Sequence, residues 1–131
     1  PATLRVSALD GSGTRLLRDV EMHAKMLLVD DVFFSIGSCN MNDRGFEYEG
    51  EINVAVVNET LARGLRERLW REHLNDDPRL GQGIASDMVV WREHIAANRA
   101  YRATSGAEPR SRVFPFVPRR RLGPFSARGV F

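Results

Sequence analysis

Apolar and polar positions fall into short runs of strand length near the start of the chain and into longer, helically spaced sets further on. Thr3 to Leu9 predicts a short strand, closed by the turn-forming run Asp10-Gly11-Ser12-Gly13. Two apolar stretches follow, Met22 to Val29 and Val32 to Ile36, split by Asp30-Asp31. Their length and their β-branched and aromatic content predict two strands joined by a tight turn. Residues 37–50, rich in Gly, Asn, Asp and charge, predict a loop. Glu51 to Val57 is nearly all apolar after its first residue, the pattern of a strand at a buried sheet centre. Leu61, Leu65, Leu69 and Leu74 then recur at helical spacing between a capping Asn58 and the Asp76-Asp77-Pro78 stop. A second helix is predicted from about Ser86 to Arg102, with Met88, Trp91, Ile95 and Tyr101 on its apolar side. The segments around Trp70 and Trp91, Leu-Trp-Arg-Glu-His-Leu and Val-Trp-Arg-Glu-His-Ile, look alike. They read as two amphipathic helices with similar faces, because the period occurs once.

A chain of 131 residues with 43% hydrophobic content suits one soluble globular domain. No apolar run approaches the ~20 residues that span a bilayer, so any membrane contact is expected to be peripheral. The start at Pro1, without an initiator Met or a recognisable leader, fits a processed or trimmed product. Cys39 is the single cysteine, which leaves the redox compartment undetermined. The net charge is only +2, but Arg110, Arg112, Arg119, Arg120, Arg121 and Arg128 crowd residues 107–131 against Glu108 alone. That Pro- and Arg-rich stretch, with Phe114, Phe116, Phe125 and Phe131, is expected as loop or short strand wrapped on a surface. It is either a solvated extension or a contact for an anionic lipid headgroup or nucleic-acid backbone.

Of the 19 basic residues 18 are Arg, and the one lysine, Lys25, stands two positions after His23. His23, Lys25 and Asp30 have the spacing HxKx4D, and Gly37, Ser38 and Asn40 follow as GSxN. On a strand, His23 and Lys25 would point to the same side about 7 Å apart, so both could face one phosphate. A phosphodiester repels an incoming nucleophile, so cations and donors must hold its non-bridging oxygens as charge builds. Lys25 and Asn40 suit that task, with Ser38 beside them. An imidazole such as His23 can attack phosphorus or carry a proton to the leaving oxygen. His73 and His94 have no metal-ligand spacing partner and read as packing or surface residues. Cys39 reads as a small loop residue.

These residues resemble the active-site block of the phospholipase D superfamily. The likeness runs through Glu-Met-His-Ala-Lys-Met-Leu-Leu-Val-Asp-Asp and Ile-Gly-Ser-Cys-Asn-Met-Asn-Asp-Arg, then the acidic-headed strand Glu51-Ile-Asn-Val-Ala-Val-Val and the helix at 65–74. It covers residues 20–75 well and 86–102 more loosely. Gly45 departs from it, since a Ser is usual there, and a glycine is expected to loosen the loop. The resemblance implies an α/β fold, half of an αβα sandwich with a mixed β-sheet. Residues 1–106 would be the C-terminal catalytic half-domain and 107–131 an extension packed on the surface.

For the site, the resemblance implies His23, Lys25, Asp30 and Glu51 as catalytic and Lys25, Ser38 and Asn40 as phosphate-binding, without metal or cofactor. Glu51 would orient His23, with Glu47 and Glu49 as rivals, and Asp30 would brace the loop as much as touch phosphate. Members of the family pair two such motifs, and this chain carries one. In the second motif the histidine is the general acid and then the base, the role implied for His23. The partner would be a separate N-terminal chain bearing the other motif, favoured because only one short strand precedes the motif strand, or a second copy. The function implied is a phospholipase D that hydrolyses or transphosphatidylates glycerophospholipids at a membrane surface through a phosphohistidine. Alternatives are a nuclease of the superfamily, acting on nucleic acid, or a lipid phosphatidyltransferase. A degenerate half that only scaffolds a partner is disfavoured by the intact motif. Secretion or delivery as an effector is compatible with the sequence.

Overall fold

A computed structural model describes residues 2–101 and 107–117. The order of elements is β1 (Ala2–Leu9), β2 (Arg15–Asp19), β3 (Lys25–Val29), β4 (Phe33–Gly37), α1 (Asp43–Glu47), β5 (Asn53–Val57), α2 (Glu59–His73), α3 (Ile84–Arg99) and β6 (Val113–Pro115). The class is α/β, as expected, and its strands form two antiparallel three-stranded sheets, β2-β1-β6 and β3-β4-β5. Where one domain was expected, the described residues divide into two compact units, 2–21 with 65–101 and 107–117, and 22–64.

The first unit opens with a hairpin that the hydrophobic pattern did not reveal. Asp10 accepts from the Ser12 and Thr14 amides at 2.9 Å each, a local side-chain turn that leads β1 back as β2. Cross-strand pairs then hold charged residues that disguise β2 as a loop. Arg5 meets Asp19 at 2.7 Å, and the buried Arg15 donates to the Ser7 hydroxyl at 3.1 Å. On the other side of β1 lies β6, so residues 107–117, expected as the start of a surface extension, bring Val113 and Phe114 into the interior. Asn98 of α3 holds that segment, donating to the Ser111 and Val113 carbonyls (3.0 and 2.8 Å) and accepting from the Arg110 amide (3.0 Å). Arg119, Arg120, Arg121, Phe125, Arg128 and Phe131 of the expected cationic extension, and the predicted helix end at Arg102, lie outside the described residues.

Leu74, Leu80, Val90 and Val113 form the core of this unit, with Trp70 and Trp91 packed beside it, their ring centroids 4.9 Å apart and their planes tilted by 41°. The two similar helical segments thus present like faces to each other. Arg66 and Asp87, both buried, pair at 2.7 Å, and the other Asp87 oxygen accepts the Gly81 and Gln82 amides. His94 is buried and bonded to Asp77 at 2.9 Å, a packing role. Two guanidinium bonds from Arg79 hold the Asp77 carboxyl well below the usual carboxylate range.

The second unit is a meander with β4 at its centre. β5 therefore lies at a sheet edge, correcting its expected central place, and Val54 and Val57 are 62% and 77% exposed. Apolar composition records a demand for burial. It does not say which neighbour meets that demand. The loop expected over 37–50 contains α1, which Asn42 caps by accepting the Gly45 amide at 2.8 Å. Asn58 caps α2 as predicted, accepting from the Leu61 amide at 2.9 Å.

Candidate active site

The hairpin β3–β4 decides which motif residues meet. Its turn places Asp30 and Asp31 at φ of 49° and 56°, and the Val32 amide closes it onto the Val29 carbonyl at 2.9 Å. Asp tolerates this left-handed backbone better than most residues, which is a structural reason for acid at these positions. Lys25 starts β3 and pairs with Gly37, at the opposite end of the hairpin. Five residues of strand separate the two ends by about 16 Å. The structure therefore does not bring Asp30 to Lys25.

His23 precedes β3 and is exposed, so strand alternation does not govern its direction as expected. What links the two motif residues is a hydrogen bond from the Lys25 ammonium to the His23 carbonyl, 2.9 Å long. Lys25 also lines a cleft of about 120 Å³ on the sheet face it shares with Leu27, Ser35 and Asn53. Cys39, Met41 and Phe46 add the wall. A cation and polar groups on the floor, with apolar side chains around them, suit an amphiphile with an anionic centre.

Gly37 and Gly45 permit this arrangement. A Cβ on Gly37 would overlap the Ile52 carbonyl and the Asn53 side chain. At the buried Gly45 it would overlap the Asn40 carbonyl. Gly45 thus seats α1 tightly against Asn40, the reverse of the expected loosening. Asn40 is half-buried, and its carbonyl accepts the Asn42 amide at 2.9 Å.

Ser38, expected to bind phosphate, is linked to Ile52. Its amide donates to the Ile52 carbonyl at 3.0 Å, and its hydroxyl accepts the Ile52 amide at 3.2 Å. That double link fixes the chain next to Glu51. Among the described residues no hydrogen bond joins Glu51 to His23. Its rival Glu49 is taken by Arg44, 2.5 Å away. Residues 22–64 thus gather Lys25, Ser35, Cys39 and Asn53 at one cleft, and neither His23, Asn40 nor Glu51 lines it. Ser35 and Asn53 were not singled out from the sequence. Their signal was one of register, since each is the polar member of an apolar strand on the Lys25 face. No cluster of three or more His, Cys, Asp or Glu side chains able to hold a metal occurs among the described residues. Nor is any helix among them long and apolar enough to cross a membrane.

Comparison with known proteins completes the description. Residues 4–72 match the family described as "Cardiolipin synthase, PLD-like domain". Cardiolipin synthase 1 of Staphylococcus aureus is 47% identical over 45 residues, 34% of this chain and 9% of the relative. Cardiolipin synthase 1 of Staphylococcus epidermidis is 44% identical over 51 residues, 39% of this chain and 10% of the relative. Cardiolipin synthase of Clostridium perfringens is 29% identical over 51 residues, 39% of this chain and 11% of the relative. The match thus spans about a tenth of these relatives' length. No solved structure matches the chain.

Proposed function

Since the chain belongs to the family of cardiolipin synthase PLD-like domains, we propose that it supplies one half of a site that transfers a phosphatidyl group between alcohols. The observation that carries this reading is the HxKx4D and GSxN pattern in a matched family segment, with Lys25 at a cleft walled by Met41 and Phe46. The nucleophile is an imidazole on the completing half, a second motif-bearing chain or segment. Its nitrogen bonds to phosphorus as the phosphorus–oxygen bond to the first alcohol breaks, and His23 protonates that departing oxygen. The acceptor alcohol then loses its proton to His23, bonds to phosphorus and frees the first imidazole.

Each residue has a task in that scheme. The Lys25 ammonium exchanges the His23 carbonyl for a non-bridging oxygen, where its charge opposes the charge that builds. Asn40, next to the cleft-lining Cys39 but outside the cleft itself, offers a neutral donor to the same phosphate once the halves meet. Glu51 orients His23 once the halves meet, and Asp30 acts through the turn. If the acceptor is the glycerol hydroxyl of another lipid, the product is a cardiolipin. If it is water, the reaction is hydrolysis to phosphatidate. The relatives' names favour the lipid acceptor, whereas the chemistry of the half-site admits both.

Vesicles of phosphatidylglycerol, incubated with the chain together with its motif-bearing completing half and analysed by lipid mass spectrometry, separate the two. Cardiolipin with free glycerol supports transfer, and phosphatidate with free glycerol supports hydrolysis. Neither product from vesicles, with cleavage of single-stranded DNA by the same preparation, would replace this reading by a nuclease.

A further inference from the structure

We infer that Asn53 is a positioning residue of the phosphodiester site, holding the loop that carries Asn40 and turning the Ser35 hydroxyl toward the cleft beside Lys25. The inference rests on the function proposed above and adds to it two residues outside the HxKx4D and GSxN pattern.

Asn53 begins β5, opposite Gly37 in the register, and its side chain spans two elements. The side-chain oxygen Oδ1 accepts the Cys39 amide at 3.1 Å, and the side-chain nitrogen Nδ2 donates to the Ser35 hydroxyl at 3.4 Å. The network fixes the orientation of the amide, because only the oxygen can accept a backbone N–H. Cys39 is the residue before Asn40. From the other side Asn40 is held by its carbonyl, which accepts the Asn42 amide, and by the contact that Gly45 permits. Asn40 therefore sits between two anchors, of which Asn53 is one. Gly37 supplies the clearance, since a Cβ there would overlap the Asn53 oxygen.

The second consequence concerns Ser35. By accepting from Asn53, the Ser35 oxygen keeps its own proton for donation, and Ser35, Lys25 and Asn53 all line the same cleft. A phosphate oxygen held by Lys25 would then have a neutral donor two positions along the neighbouring strand, since Leu27 faces Ser35 and Lys25 faces Gly37.

The test compares Asn53→Ala, which removes both bonds, with Asn53→Asp, which keeps the acceptor for Cys39 but places a carboxylate beside Lys25. Hydrogen exchange of the Cys39 amide in the full protein reads the loop directly. Asn53→Ala should accelerate it by about two- to tenfold, the scale of one lost hydrogen bond in a solvent-accessible setting, while Asn53→Asp should stay near wild type. Phosphatidyl transfer should fall by about tenfold or more in both. In Asn53→Ala the loss should lie mainly in kcat, through the misplaced loop, and in Asn53→Asp mainly in KM, through repulsion of the phosphate. Unchanged Cys39 exchange in Asn53→Ala overturns the inference. So does wild-type turnover by that variant in an enzyme that His23→Ala inactivates. Should His23→Ala itself be fully active, the proposed chemistry fails, and the exchange measurement still decides whether Asn53 holds the loop.

Discussion

One residue, Ala24, separates His23 from Lys25, and the bond between the ammonium and the His23 carbonyl gives them a common local geometry. His23 is exposed and Lys25 half-buried, so neither is part of a core. We expect His23→Ala and Lys25→Ala each to abolish phosphatidyl transfer while stability stays within about 1 kcal/mol of wild type. Wild-type turnover by either variant, in a thermal-melt-matched preparation, counts against the proposed roles. His73 supports a different prediction. Burial, with a smaller contribution from Arg112, lowers its pKa below the ordinary 6.5, and Glu72 partly offsets this. The unfolded chain therefore binds a proton at higher pH than the folded one. Stability from this group is complete above the unfolded value and declines as pH falls through 6.5 toward the folded pKa. Replacing His73 with Gln should flatten the decline in Tm between about pH 7 and pH 5. An equally steep decline in the variant would assign it to other groups.

At the scale of elements, two close contacts set the framework. Gly37 lets β4 approach β5 with the Asn53 side chain between them, so Gly37→Ala forces overlap with backbone at Ile52 and should cost about 1–3 kcal/mol. Equilibrium denaturation measures this, and an unchanged midpoint would show that the strands shift freely. Arg66 on α2 and Asp87 on α3 form an ion pair that water does not reach. Asp87→Ala removes the short ion-pair partner of the buried Arg66 guanidinium and the carboxylate oxygen that the Gly81 and Gln82 amides donate to. We expect a loss of about 3–5 kcal/mol, the scale for one partner removed from a buried pair. A loss under about 1 kcal/mol would mean that solvent enters the site when the carboxylate leaves.

At the scale of the whole molecule, one motif is half of what a two-imidazole mechanism needs. β5 carries Val54 and Val57 largely exposed at a sheet edge, the kind of surface that natural proteins cover. We expect the 131-residue chain alone to be inactive and prone to associate, and activity to appear only when a second motif-bearing half is present. Size-exclusion chromatography with an activity assay across the fractions tests this. Full transfer activity eluting at the mass of one chain would defeat the bipartite mechanism.

What the sequence by itself determined is what neighbours along the chain decide. The leucine spacing and Asn58 defined α2, the Asp30-Asp31 turn defined the β3–β4 hairpin, and HxKx4D with GSxN marked the family. Interactions within a turn of helix or across a tight turn involve residues a few positions apart, so their pattern is written locally. Only the tertiary structure showed that β5 is an edge, that β2 exists behind charged residues, and that Val113 belongs to the core. It also separated Asp30 from Lys25, tied Ser38 to Ile52, and placed Ser35 and Asn53 at the cleft. The reason is pairing over distance. Which strand lies beside which, and in what register, depends on residues far apart in sequence, and a shift of one position would turn each of these side chains to the other face.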